Sequence, residues 1–195
     1  MAYKMIVLDL DGTLTNNKKE ITPRTYEALM EAQKKGIVVV LASGRPTYGI
    51  MPLAKQLKLA EYGGYILAYN GGKIMDCKSG DTVFNQELCP DLVPMLYDEA
   101  MKAGVQILTY QGDGIAATKA DDEYVEHEAF INKMPVVEYS DFKNQVEYPI
   151  NKCLIVGDPE PLHKLELKLA AEMEGKISVY RSAPFFLECV PLGIE

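Results

Sequence analysis

Short apolar runs alternate with amphipathic segments in the first third of the chain. The apolar runs have the length and β-branched content of strands and cover residues 5–8, 37–42 and 65–69. Thr22-Pro23 predicts the start of a helix that ends at Gly36, and a second helix is predicted to run through Ala54 to Leu59. Alternating strands and helices predict a parallel sheet with right-handed connections. Because residues 5–8 include no polar member, we expect this strand to be buried on both faces of the sheet.

The pattern changes after residue 83, from alternating strands and helices to one dominated by antiparallel strands. Helices are predicted at 90–103, 124–131 and 159–174, and strands at 105–110, 115–119, 153–156, 177–181 and 185–190. This order is typical of an α+β module with its own sheet. The sequence therefore predicts an α/β fold, with a parallel-sheet module up to residue 83 and an α+β module after it.

Composition narrows the range of partners and compartments. The chain has 195 residues, of which 48% are hydrophobic, and a net charge of −8, so binding to nucleic acid or to an anionic membrane surface is disfavoured. The four cysteines form no close pair, and the sequence suggests neither a secretory leader nor a membrane span. We therefore expect reduced thiols and a cytoplasmic location. The two histidines have polar neighbours and are interpreted as surface residues rather than metal ligands.

Candidate chemistry begins where the first apolar run ends. Asp9 and Asp11 follow it directly and lead into a Gly12-Thr13 turn. Ligand sites of parallel sheets lie beyond the carboxyl ends of the strands, so we expect a catalytic loop here. Two like charges facing one small volume are unfavourable unless a cation or a shared proton relieves them. The alternative is an ordinary turn at Asp11-Gly12, with Asp9 as a cap.

Two further polar segments follow the next two predicted strands. Ser43 and the Gly44 N–H group could bind a phosphate oxygen, although Ser43 could equally cap a helix. Arg45 could bind a substrate anion or another domain, or form a surface ion pair. Asn70 begins an Asn-Gly-Gly turn, which we interpret as a hairpin turn that also points Asn70 at the crevice.

These segments together resemble one known superfamily. DLDGTLT at 9–15, LASGR at 41–45, the Asn-Gly turn and FFLECVPLGIE at 185–195 are similar to motifs of Cof-type (class IIB) phosphatases of the haloacid dehalogenase superfamily. The resemblance implies that Asp9 is the nucleophile and Asp11 the acid/base. It also implies a magnesium ion held by Asp9 and the Asp11 carbonyl. The domain organisation that it implies is an incomplete Rossmann-like parallel-sheet core at 1–83, an inserted α+β cap domain at 84–190, and the start of a return to the core at 191–195. Phosphate and substrate would be bound by residues of the polar turns: Gly12, Thr13, Ser43, Gly44, Arg45 and Asn70.

The resemblance implies a cytoplasmic magnesium-dependent phosphatase for small phosphorylated metabolites of the sugar-phosphate type. A non-catalytic binding protein and a phosphotransferase or mutase remain open alternatives. The superfamily's third motif, a lysine, and its fourth, an acidic metal ligand, are not found in the sequence, so we expect a truncated chain. Asp158 resembles the fourth motif only superficially, because Pro161 and Leu162 replace its Asn-Asp pair; we predict that Asp158 caps a helix beginning at Pro159.

Overall fold

The computed structural model describes residues 3–194 and divides the chain into two compact units. The boundary along the chain lies between Asn85 and Gln86, whereas the sequence analysis placed it after residue 83. The difference arises because a strand at Thr82–Asn85 pairs with the sheet of the first unit. Residues 191–194, expected to return to the core, belong to the second unit.

The first unit is a five-stranded sheet with helices in its connections. Its strands are β1 (Met5–Asp9), β2 (Val38–Ala42), β3 (Tyr65–Ala68), β4 (Lys73–Asp76) and β5 (Thr82–Asn85). Its helices are α1 (Pro23–Lys34), α2 (Thr47–Gln56) and α3 (Leu59–Tyr62). The sheet has the order β1-β2-β3-β4-β5; the first three strands are parallel and the last two are antiparallel to their neighbours. The α/β class and the parallel connections are therefore confirmed.

Local signals set the position of α1. The Thr22 hydroxyl accepts a hydrogen bond from the Thr25 N–H group at 3.3 Å, which satisfies one free donor of the first turn. Pro23 occupies the first turn, where it costs no hydrogen bond. Leu29 is buried in the core cluster that includes Val39, and the buried Gln33 amide donates a hydrogen bond to the Leu57 carbonyl at 2.9 Å. The predicted start is confirmed, and the helix ends two residues before Gly36.

Two expectations for the first unit are wrong. The second helix begins at Thr47, well before Ala54, and ends at Gln56, because Lys58 adopts a left-handed conformation that separates α2 from α3. Strand β1 is not buried on both faces: Met5 and Val7 are 50% and 55% exposed. Within residues 3–194, β1 lies at one edge of its sheet and pairs only with β2, and its odd-numbered residues, which share one face, are exposed.

The second unit is a six-stranded sheet covered by helices. Its strands are β6 (Gln106–Gln111), β7 (Gly114–Ala117), β8 (Val136–Glu138), β9 (Cys153–Val156), β10 (Ile177–Ala183) and β11 (Phe186–Pro191). Its helices are α4 (Val93–Ala103), α5 (Glu123–Asn132), α6 (Phe142–Gln145) and α7 (Pro159–Glu172). The order is β10-β11-β9-β6-β7-β8, and every pair is antiparallel except β7 with β8. Leu96 of α4 and Leu165 of α7 pack on one face, with Ile107 and Ile155 of the sheet.

Asp158 stands at the predicted start of α7, but its side chain does not cap the helix. It holds the N-cap position before Pro159 without a capping hydrogen bond. Its carboxylate instead accepts a hydrogen bond from the Tyr124 hydroxyl at 2.9 Å. The helix start is therefore confirmed, whereas the predicted capping role of the carboxylate is wrong.

Candidate active site

A closed loop follows β1 and presents the two candidate catalytic acids. The Asp9 carbonyl accepts a hydrogen bond from the Leu14 N–H group at 3.1 Å, and the Leu10 carbonyl accepts one from the Thr15 hydroxyl at 2.8 Å. Leu10, Leu14 and Thr15 are buried, so they anchor the loop from beneath.

The polar residues of this loop remain on its surface. Asp9, Asp11, Gly12 and Thr13 are exposed. Gly12 has φ +87°, a conformation that glycine adopts without the strain of a side chain. The buried anchors and the glycine turn together hold both aspartates at the carboxyl end of β1.

Two cations, Arg45 and Lys19, bind the Asp11 carboxylate in an arrangement that we call the Asp11 clasp. Arg45 donates from Nε to Asp11 Oδ2 at 2.8 Å and from Nη2 to Oδ1 at 2.6 Å, a two-pronged arrangement suited to a planar guanidinium. Lys19 Nζ donates to the same Oδ1 at 2.7 Å. Arg45 thus forms an ion pair, which is partly buried because the Arg45 side chain is only 7% exposed and that of Asp11 is 35% exposed. The charge of Asp11 is thus relieved by two side chains of the same unit.

The clasp sets the protonation of Asp11. Partial burial acts to raise the pKa of this carboxyl group, but the hydrogen bonds from Arg45 and Lys19 outweigh it and lower the pKa below its ordinary value of 3.8. Asp11 is therefore ionised at neutral pH in this state, which is the form of a carboxylate that accepts a proton.

The turns after β2 and β3 are hydrogen-bonded to each other. Asn70 donates its N–H group to the Ser43 carbonyl at 3.2 Å, and Tyr69 donates its N–H group to the Arg45 carbonyl at 3.0 Å. A methyl group added at Gly44 would lie 3.3 Å from Asn70 Oδ1, so the Asn70 side chain packs directly against the Gly44 backbone. Tyr69 and Asn70 both have positive φ, which identifies a tight turn.

Ser43 does not cap the helix that follows it. Pro46 occupies the N-cap position of α2, and the Ser43 hydroxyl accepts a hydrogen bond from the Arg45 N–H group at 3.2 Å. The capping alternative for Ser43 is therefore wrong. Its hydroxyl stabilises the turn from which the Arg45 side chain reaches Asp11.

The structure thus joins the predicted residues in two connected groups. Arg45 links the turn that contains Ser43, Gly44 and Asn70 to the loop that carries Asp11. Asp9 lies in that loop as the last residue of β1, and within residues 3–194 its carboxylate forms no ion pair. The sequence analysis missed Lys19. The only trace of Lys19 in the sequence is a lysine in a polar turn eight residues after Asp11. That pattern is common in surface loops and therefore did not single it out.

Other candidate features contribute no site of this kind. Among the residues that the structure describes, no group of three or more His, Cys, Asp or Glu side chains is placed to hold a metal ion. His127 packs against Phe185 and Phe186, and His163 lies 3.0 Å from Glu166 on the surface, in agreement with their interpretation as surface residues. No helix in residues 3–194 combines the length and the apolar character needed to cross a bilayer.

Comparisons with known proteins identify the family. The family model for haloacid dehalogenase-like hydrolases matches residues 6–195. A crystal structure of a haloacid dehalogenase-like hydrolase from Bacteroides thetaiotaomicron is 50% identical with a TM-score of 0.95, and the match covers 100% of this chain and 73% of that one.

Two further proteins extend the comparison to phosphatases. A protein of Streptococcus pyogenes, provisionally named a phosphatase, is 28% identical over 100% of this chain and 72% of its own length. The subclass IIB sugar phosphatase BT4131 shares the fold, with 20% identity and a TM-score of 0.76 over 98% of this chain and 71% of that one. The chain therefore belongs to the haloacid dehalogenase-like hydrolases, and it shares its fold with a subclass IIB phosphatase.

Proposed function

We propose that this protein is a magnesium-dependent phosphatase that hydrolyses small phosphorylated metabolites, of the sugar-phosphate type, through an aspartyl-phosphate intermediate. The observation that carries the proposal is the group formed at the carboxyl ends of β1, β2 and β3. There, Asp9 and Asp11 share a loop, and Arg45 connects that loop to the turns of Ser43 and Asn70. The sugar phosphatase BT4131 with the same fold supports the substrate class.

The proposed reaction has two steps. Asp9 attacks phosphorus through a carboxylate oxygen, and the bond between phosphorus and the substrate oxygen breaks. Asp11 gives the leaving oxygen a proton that it takes up from solvent in the substrate complex, where a phosphoryl group that draws Arg45 away removes one of the hydrogen bonds that lower the pKa of Asp11. Water then attacks the aspartyl-phosphate while Asp11 takes its proton, which releases phosphate and restores the Asp9 carboxylate. Asp9 is exposed and outside any ion pair in the described chain, as an attacking group requires.

Binding of the phosphoryl group is assigned to the polar turns. The Ser43 hydroxyl and the N–H groups of Gly12, Thr13 and Gly44 are suitable donors to phosphoryl oxygens, whose negative charge grows in the transition state. Asn70 is packed against Gly44 and would fix the position of that turn. Arg45 adds a two-pronged cation at the same place.

The donors at this loop fit magnesium in type. Mg²⁺ prefers hard oxygen ligands and keeps several waters, and the Asp9 carboxylate and the Asp11 carbonyl are oxygen donors of that kind. These two residues would hold the ion on the protein side. When bound, magnesium supplies positive charge that offsets the negative charges of Asp9 and the phosphoryl group.

The cysteines support the cytoplasmic location that we propose. All four are free thiols, and Cys153 and Cys189 are buried in the second unit. Burial raises the pKa of Cys153 to about 12, so this thiol is unreactive. Unpaired cysteines are typical of a reducing compartment.

Replacement of the nucleophile tests the proposal. Asp9→Asn should reduce magnesium-dependent release of phosphate from sugar phosphates by at least about a thousandfold, because the amide cannot form the intermediate. Circular dichroism should be unchanged, because Asp9 is exposed. The matched control is Asp81→Asn, an exposed aspartate of the same unit, which should retain wild-type turnover.

Turnover of Asp9→Asn within tenfold of wild type, or a wild type without phosphatase activity, would refute the mechanism. Free phosphate as the product separates hydrolysis from transfer to a second hydroxyl, the mutase or phosphotransferase alternative. Asp11→Asn should also be slow, and acid quenching should show a longer-lived phospho-enzyme if its hydrolysis suffers more than its formation.

A further inference from the structure

Lys19 reaches Asp11 from a loop whose shape is specified by its own side chains. The Asn16 carboxamide oxygen accepts hydrogen bonds from the N–H groups of Lys18 at 2.8 Å and Glu20 at 3.1 Å. The Lys19 N–H group donates to the Asn16 carbonyl at 2.8 Å, and Lys19 itself has φ +60°. A lysine in the left-handed region is strained, and such strain persists only where the surrounding structure enforces it.

The loop is also fixed at both ends. Thr15 and Ile21 form a bridge to each other, and both side chains are buried. The Thr15 hydroxyl is bonded to the Leu10 carbonyl beneath the catalytic loop. The strained residue therefore stands on a rigid base, and its ammonium group is delivered to one carboxylate oxygen.

The two cations on Asp11 differ in what else they can reach. Arg45 belongs to the turn of Ser43 and Gly44, where the phosphoryl group is proposed to bind, and it spans both oxygens of Asp11. A bound phosphoryl dianion would compete with Asp11 for this guanidinium, since both are anions suited to two-pronged contacts. Lys19 belongs to a separate loop and contacts Asp11 Oδ1 alone. Of the two, it is the cation that can stay on Asp11 while Arg45 binds substrate.

We propose that Lys19 is a positioning residue that holds the Asp11 carboxyl group in its reactive orientation when Arg45 turns to the phosphoryl group of the substrate. The inference rests on the proposed phosphatase function and adds a division of labour to it. Arg45 exchanges one anion for another during turnover, whereas Lys19 keeps the acid/base in place. A small displacement of a reacting group from its productive geometry slows the chemical step more than it weakens substrate binding.

The test is steady-state hydrolysis of p-nitrophenyl phosphate with magnesium, using the full chain. Lys19→Gln removes the charge and keeps a similar length, and should lower kcat about 10- to 100-fold with KM within about threefold of wild type. Lys19→Arg restores a cation at the same place and should recover kcat to within about fivefold. The matched control is Lys34→Gln, an exposed lysine at the end of α1, which should be unchanged.

A second variant tests the loop without touching Lys19. Asn16→Ala removes the two hydrogen bonds that shape the turn, and should lower kcat in the same direction by a smaller factor. It also keeps the inference testable if Lys19→Gln does not fold.

Each result decides between defined outcomes. An active wild type with unchanged kcat in Lys19→Gln and Asn16→Ala overturns the role of Lys19 and leaves the phosphatase function standing. A raised KM with unchanged kcat would make Lys19 a substrate-binding cation instead, and also overturns the positioning role. A wild type without phosphatase activity overturns the proposed function and this role with it.

Discussion

Each unit of the protein contains a cluster of charged side chains, and the two clusters differ in exposure and in charge balance. In the first unit, two cations surround one carboxylate, and Asp11 and Lys19 are 35% and 27% exposed. In the second unit, Lys152 and Glu188 are 3% and 5% exposed, and Glu128 is buried beside them. The first cluster can exchange a partner with solvent or ligand, whereas the second is enclosed by protein.

The enclosed cluster is extensively hydrogen-bonded. Lys152 Nζ donates to Glu188 at 2.9 Å and lies 5.5 Å from the centre of the Tyr110 ring. The Tyr110 hydroxyl and the Asn132 amide donate to the same oxygen of Glu128, at 2.7 and 2.6 Å. Buried charges require such partners, because removal from water costs several kcal/mol per ion. The comparison teaches that similar residue types form a reactive group where solvent has access and a structural group where it does not.

The largest effect on stability is expected from Lys152→Met. It removes the cation from a buried carboxylate and should lower the free energy of unfolding by roughly 3–5 kcal/mol in urea denaturation. Lys143→Met is the control: the ion pair of Lys143 with Asp98 is 38% and 47% exposed, so the change should stay below about 1 kcal/mol.

The double variant Lys152→Met/Glu188→Met should recover much of the loss, since no uncompensated charge remains at this pair. Equal effects of Lys152→Met and Lys143→Met would remove the distinction between the enclosed cluster and an exposed pair.

Sequence reasoning succeeded where signals are local. The N-cap threonine and proline of α1 fix that helix by contacts within one turn, and the four residues of β9 are apolar throughout. It failed where pairing partners decide the structure. The three residues of β8 form a strand because they lie parallel to β7, and β5 consists entirely of exposed residues held by its pairing with β4.

The candidate site shows the same limit. The motif segments of Asp9, Ser43 and Asn70 are visible in the sequence because they follow apolar strands. The contact of Lys19 with Asp11 depends on the turn at Asn16, and that of Arg45 on the Ser43 turn. Side-chain reach across such turns is a tertiary property, so spacing alone did not reveal the clasp.

An intermediate effect is expected from Glu128→Gln. Burial raises the pKa of Glu128 above its ordinary value of 4.5, opposed by the nearby Lys152 and by the Tyr110 hydroxyl. The folded state therefore holds this proton more tightly than the unfolded chain, and stability falls as pH rises from the unfolded pKa through the folded one. A neutral amide at this position has no carboxyl group to ionise and therefore removes that loss.

Urea denaturation at about pH 5 and about pH 8 measures this effect. Glu128→Gln should gain roughly 1 kcal/mol over wild type at the higher pH, and less at the lower. The exposed Glu126 of the same helix gives the control Glu126→Gln, which should show no such pH-dependent gain. A gain that is equal at both pH values would show that the ionisation of Glu128 is not its cause.

The smallest stability change is expected from Lys19→Gln, and its size sharpens the contrast between the clusters. Asp11 keeps Arg45 and remains partly solvated after the substitution, so no buried charge is left unpaired. The loss in the free energy of unfolding should be about 0.5 kcal/mol, within the range of exposed ion pairs, and should shrink further at high salt.

The same substitution is expected to lower kcat by at least about tenfold. Lys152→Met should show the opposite combination, a large loss of stability with little change in kcat. Urea denaturation and p-nitrophenyl phosphate kinetics on the same preparations would measure both quantities. A loss of several kcal/mol in Lys19→Gln would instead place the Asp11 clasp among the structural groups, since a partly exposed cation that only orients a reacting carboxylate contributes little to folding.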